Sequence, residues 1–178
     1  CVCSNNYFGA YIATRRLFSQ GYKNVAYISR PIYATSIERY QGYRAALVDS
    51  GITYIENHTV FEDEFNTERT GYKVTKDLLK RYPDIDSIFA FNDVVAVGSY
   101  EAAIEAGKKV GHDFGIVGYD NTKICETFQQ KLTSVNFKNY EIGKIAANLL
   151  KEIIEGKKAN RIVILEPELV IRESCSKD

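Results

Sequence analysis

Apolar residues follow two rhythms along this chain. The first is a set of short runs, apolar on successive residues: 24–28 (NVAYI), 58–62 (HTVFE), 87–91 (SIFAF), 114–118 (FGIVG), 132–135 (LTSV) and 161–165 (RIVIL). Runs of that length without strict alternation suit strands covered on both faces, as in a parallel sheet flanked by helices. The second rhythm is longer and helical. Thr35 followed by Glu38 has the spacing of a capping box and opens a predicted helix that runs to Gly51. Further helices are predicted over 67–82, stopped by Pro83, and over 93–106, stopped by Gly107. The clearest spans 140–155, where Ile142, Ile145, Ala146, Leu149, Leu150, Ile153 and Ile154 share one face that must be buried against something.

Strand and helix alternate with short connections and no internal repeat or low-complexity run. That pattern predicts an α/β fold, a doubly wound parallel sheet with helices on both faces and right-handed crossovers. A chain of 178 residues, 45% hydrophobic, can bury a real core. Lys and Arg number 23, the same as Asp and Glu, so no excess positive charge is available to neutralise a row of phosphates. Direct nucleic-acid binding by these residues is thereby disfavoured. No segment approaches the roughly 20 apolar residues that span a bilayer, and the start CVCSNNYFGAY has neither a basic region nor a long apolar one. A cytoplasmic protein without membrane contact is expected. The cysteines, Cys1, Cys3, Cys125 and Cys175, form no CxxC pair and read as free thiols, with neither metal nor cofactor implied. A first residue of Cys rather than Met suggests a piece of something longer.

In such a sheet ligands bind beyond the carboxyl ends of the strands. Polar residues stand at several of those ends: Asn92 and Asp93 after SIFAF, and Asp120 and Asn121 after FGIVG. Asp93 and Asn121 read as caps of the elements that follow. Asp120 is a carboxylate immediately past a buried strand and is expected to point into the cleft. Arg39 is placed in the first turn of its helix, where a cation opposes the helix dipole, so a specific partner is expected for it. With the rings of Phe65 and Tyr33 nearby, this set suits a small polyhydroxylated or otherwise polar ligand; a surface ion pair is the alternative. Enzyme chemistry finds no support, because the chain has no GxGxxG after its first strand, no P-loop and no GxSxG. Both histidines, His58 at a strand start and His112 in a turn, read as surface residues. A phospho-accepting receiver domain would need paired acids where Ser29, Arg30 and Pro31 stand.

Several segments taken in order resemble the lactose/galactose-repressor family: 9–29 (GAYIATRRLFSQGYKNVAYIS), 36–47 (SIERYQGYRAAL), 86–110 (DSIFAFNDVVAVGSYEAAIEAGKKV), 114–121 (FGIVGYDN), LTSV with 142–154 (IGKIAANLLKEII), and 166–174 (EPELVIRES). The resemblance implies a periplasmic-binding-protein-like core of two similar subdomains, the effector between them and the chain crossing three times. On this pattern residues 1–132 belong to the C-terminal subdomain, 133–158 form a crossover and a helix of the N-terminal subdomain, and 159–178 supply the last crossover and final strand. A helix-turn-helix head, a hinge and much of the N-terminal subdomain are expected to precede Cys1. The family's effector-contacting positions fall on Arg39, Asp120, Asn92 and Phe65, with Tyr33 and Thr35 in a loop that touches the ligand. The family's aspartate at the first crossover is replaced within Ser4, Asn5 and Asn6, and Gly111 stands where proline is common. The implied partners are a sugar or related metabolite, operator DNA only through the absent head, and a second copy. Self-association would use the helix over 93–106 and residues 122–130, with Ile124, Cys125 and Phe128 as apolar contacts. The implied function is effector sensing in a repressor; a solute-binding protein of a transport system shares the fold.

Overall fold

The computed structural model describes residues 1–30, 33–62, 67–157 and 162–177. In chain order they form β1 (Val2–Ser4), α1 (Asn6–Ser19), β2 (Val25–Ser29), α2 (Ala34–Asp49), β3 (Thr59–Phe61), α3 (Glu68–Arg81), β4 (Ser87–Ala90), α4 (Asp93–Glu105), β5 (Gly115–Tyr119), β6 (Thr133–Asn136), α5 (Asn139–Ile154), β7 (Val163–Leu165) and β8 (Glu168–Val170). Short 3-10 turns lie at Glu56–His58, Lys123–Glu126 and Glu173–Cys175.

The main sheet has the order β3-β2-β4-β5-β6-β8, parallel except for β8, which runs antiparallel to β6. Its faces follow the pleat. Val25, Tyr27, Phe89, Val117 and Tyr119 turn towards Ala10, Ala13 and Leu17 of α1 and Tyr43 and Leu47 of α2. Ala26, Ile28, Ile88, Ala90 and Ile116 turn towards Val74 and Leu78 of α3 and Val95, Ala96 and Tyr100 of α4. Every residue of β2, β4 and β5 is buried, which accounts for their unalternating apolar runs. α3 and α4 approach to backbone contact: a methyl at Gly98 would overlap the Glu68 carbonyl oxygen, and one at Gly71 would overlap that of Val95.

Caps set three of the helix starts. Asn5, Thr67 and Asn92 each accept from the amide three residues on, at 3.0, 3.2 and 3.0 Å. The capping box expected at Thr35 is absent: α2 starts after Tyr33 with no side-chain cap, Thr35 lies inside the first turn, and Glu38 accepts instead from the Asn6 side chain at 3.0 Å. Asn92, not Asp93, caps α4. His58 is buried rather than superficial, packed against the Tyr82 ring, and desolvation lowers its pKa.

The segment RIVIL does not join the main sheet. β7 pairs in parallel with β1, Val2 opposite Val163, in a separate two-stranded sheet, while the strand that completes the main sheet is β8. α5 lies near β1 and has no buried residue; Leu150, Ile153 and Ile154 are 59, 60 and 77% exposed. Of the apolar face foreseen from its periodicity, Ile142, Ile145 and Leu149 are partly covered, and Ala146, Leu150, Ile153 and Ile154 are exposed among the described residues.

Candidate ligand-binding site

From β2 the chain goes first to β3 on one side and then back to β4 on the other, so the winding reverses between β2 and β4. Helices leaving neighbouring strands in opposite directions open a crevice beyond the carboxyl ends at that point. Arg30, Phe91 with Asn92, and Asp120 follow β2, β4 and β5 there.

Arg39 occupies the centre. The N-cap position of α2 is Tyr33, two residues earlier than expected, so Arg39 lies in the second turn and is 7% exposed. Its Nη1 donates to the Phe91 carbonyl oxygen at 2.6 Å and its Nε to Asn6 Oδ1 at 3.2 Å. The guanidinium lies 3.5 Å from the Tyr119 ring centre and 4.4 Å from that of Phe91, a stacked position that fixes its plane. Nη2 stands 3.9 Å from Asp120 Oδ1, beyond direct hydrogen-bond reach. The Asp120 side chain remains 29% exposed. Burial pushes its pKa up to about 7; the Arg39 cation opposes this, and the nearby Asp93 carboxylate adds to it.

The other expected residues are placed unevenly. Asn92 is buried at the carboxyl end of β4 and its Oδ1 is engaged in capping. Tyr33 is 57% exposed, with the Arg30 guanidinium 4.1 Å from its ring centre, and Thr35 is partly exposed at the start of α2. Phe65 lies outside the described residues. Asn121 caps no helix; its Oδ1 accepts from Arg172 Nη2 at 2.9 Å. Of the apolar set assigned to self-association, Ile124 and Phe128 are partly exposed, but Cys125 is 0% exposed inside the core and offers no surface to a second chain.

Residues that sequence reasoning missed complete the crevice. Asn6 receives Arg39 Nε and donates to Glu38. Phe91 and Tyr119 supply the rings next to the guanidinium, and Asp93 is fully buried under the Asp120 loop. A signal for Asp93 existed in the sequence: with Asn92 already suited to capping, a carboxylate beside it was surplus to that role. Among the described residues no group of three or more His, Cys, Asp or Glu side chains is arranged to hold a metal. No helix among the described residues is long and apolar enough to cross a membrane.

Comparison with known proteins gives a consistent result. The profile of the periplasmic binding protein-like domain matches residues 14–175. The HTH-type transcriptional repressor PurR of Mannheimia succiniciproducens is 34% identical over 178 residues, covering 99% of this chain and 53% of that protein. The ribose operon repressor of Halalkalibacterium halodurans is 35% identical over 175 residues, 97% of this chain and 51% of that protein. A solved complex of the transcriptional regulator CelR with cellobiose superposes with a TM-score of 0.88 at 32% identity, covering 97% of this chain and 53% of that one. The chain thus spans about half the length of the curated relatives it matches.

Proposed function

Because this chain belongs to the periplasmic-binding-protein-like family, in its branch of LacI-family transcriptional regulators, we propose that it is the effector-sensing module of a bacterial repressor that responds to a sugar or related small metabolite. The observation that carries this reading is the pairing of Arg39 and Asp120 across the crevice at the winding reversal. Their 3.9 Å separation is too long for a charge-assisted hydrogen bond and short enough for one hydroxyl to donate to the carboxylate while accepting from the guanidinium. A carboxylate beside a fixed guanidinium is thus prepared for a polyhydroxylated ligand, and the exposed Tyr33 ring offers apolar surface for its C–H face. Asn92 at the end of β4 and Thr35 in the first turn of α2 are the further polar contacts of this reading, and Phe65 is carried into it from the family resemblance alone.

In the whole protein, effector binding biases the arrangement of two subdomains and, through a homodimer, the spacing of two DNA-binding heads. Operator contact belongs to those heads and not to these residues, whose charges balance. The main sheet, β2 to β6 with β8, and its helices form one subdomain, while β1, β7 and α5 belong to the other, on which α5 docks; that accounts for the exposed face of α5 and moves β1 and β6 out of the subdomains expected for them from the family pattern. Ile124 and Phe128, with the exposed side of α4, form the contact between copies. A thermal-shift screen against sugars, sugar phosphates and purines tests the reading. A saturable rise in Tm with one class supports it, and the absence of any shift from the protein carrying both subdomains contradicts it.

A further inference from the structure

Asp120 does not stand on ordinary backbone. Its φ is 104° and that of Asn121 is 49°, two consecutive non-glycine residues in the left-handed half of the map. Such a turn persists only where its surroundings over-determine it, and such turns gather at ligand sites. Here every amide of the turn is held. The Asp120 N–H donates to the Val135 carbonyl oxygen at 2.9 Å, that of Asn121 to Ser134 Oγ at 3.0 Å, and that of Thr122 to Asp93 Oδ2 at 2.7 Å. Ser134 Oγ passes its own proton on to Asp93 Oδ1 at 2.6 Å, and Thr122 Oγ1 donates to Asp93 Oδ2 at 2.9 Å. Two of the three amides therefore end on Asp93, one directly and one through a hydroxyl. Arg172, two residues past β8, grips the Asn121 side chain at 2.9 Å and the Leu132 carbonyl oxygen at 2.9 Å.

Asp93 has no local need to be acidic. Asn92 already caps α4, and burial pushes the Asp93 pKa up in spite of the hydrogen bonds from Ser134 and Thr122, so the carboxylate is costly where it stands. The chain accommodates it with Gly118, whose added Cβ would lie 2.5 Å from Asp93 Oδ1. A buried group retained against its own desolvation, and accepting three hydrogen bonds from one turn and its neighbouring strand, is explained by what it holds. We propose that Asp93 is a positioning residue: it clasps the turn at Asp120 and Asn121 and so fixes where the Asp120 carboxylate stands relative to Arg39. The functional meaning of that position rests on Asp120 being a ligand contact; the clasp itself does not.

The test needs no ligand. Asp93→Asn replaces one acceptor oxygen by an amide that cannot receive the Thr122 N–H and Ser134 Oγ–H together; Ser134→Ala removes the relay while leaving the Asp93 charge in place. Both variants are compared with the parent by amide hydrogen exchange, and the Asp120 carboxyl is titrated by carbon-13 NMR. The expected result is exchange at Asn121 and Thr122 at least tenfold faster, with α4 and β5 amides unchanged. In Ser134→Ala, whose charges are unaltered, the Asp120 midpoint falls towards the ordinary carboxylate range as the turn opens to water. Exchange at Asn121 and Thr122 within twofold of the parent in both variants would overturn the proposal. So would equal acceleration throughout α4 and β5, or an Asp120 midpoint that moves in Asp93→Asn but stays fixed in Ser134→Ala, since Asp93 would then be only a structural residue or a neighbouring charge. If the clasp is upheld while Asp120→Ala leaves effector binding intact, it is the ligand reading that has failed.

Discussion

Replacing Asp120 by Asn should make the protein more stable at neutral and alkaline pH while altering the proposed ligand contact. In the folded chain burial raises the Asp120 pKa from 3.8 to about 7. The folded state therefore keeps the proton to higher pH than the unfolded chain does, and between about pH 4 and 7 it binds more protons than the unfolded state. Stability must fall as pH rises through that window and level off above it. About three pKa units at about 1.4 kcal/mol each set an upper bound of about 4 kcal/mol. The side chain is still 29% exposed, so solvent screening reduces the expected figure to about 2 kcal/mol. Asn keeps the shape, tolerates the positive φ of 104° better than most residues, and does not ionise. The assay is urea unfolding followed by far-UV circular dichroism at pH 5, 6, 7 and 8, the chain having no Trp. The parent should lose stability across this series, Asp120→Asn should lose less, and the gap should be widest at pH 8. Parallel profiles for the two proteins would show that Asp120 is not held in a desolvated place and would refute the reasoning.

Three further outcomes are expected. Gly98→Ala forces α4 away from the Glu68 carbonyl oxygen and should cost about 1–3 kcal/mol, read as a lowered Tm; an unchanged Tm would mean that α3 and α4 are not in backbone contact. In these 178 residues alone α5 should exchange its amides with little protection, and strong protection over 145–153 in a proven monomer would mean that the helix has an intramolecular partner. On the proposed contact between copies, Ile124→Lys, alone and with Phe128→Lys, should weaken self-association of the whole protein in ultracentrifugation; a full dimer in both variants would remove these residues from that proposal.

What could be read from the sequence was whatever depends on periodicity and covalent order. The unalternating runs at 24–28, 87–91 and 114–118 are strands buried on both faces, each within a residue of its place. The strand ends carrying Asn92 and Asp120 stand where those runs predicted. The rest depended on contacts between residues far apart in sequence. Thr35 and Glu38 have capping-box spacing, but tertiary structure uses Glu38 to hold Asn6, 32 residues earlier. Val163–Leu165 has strand chemistry, and only its pairing with Val2–Ser4 shows that it lies off the main sheet. Cys125 sits in an exposed-looking stretch, yet it is buried because the 3-10 turn at Lys123–Glu126 folds it inward. The clasp of Asp93, Thr122, Ser134 and Arg172 draws on four separate segments, and no local pattern announces it.

The central claim is that Arg39 and Asp120 together bind a small polar effector, and calorimetric titration tests it most directly. The titrant is the compound giving the largest stabilisation in the thermal screen, added to the parent and to Asp120→Ala. Loss of a charged hydrogen bond to a ligand hydroxyl removes roughly 1.5–3 kcal/mol, so the Kd of the variant should rise about ten- to a hundredfold. Equal affinities for parent and variant, with both proteins folded, would contradict the account.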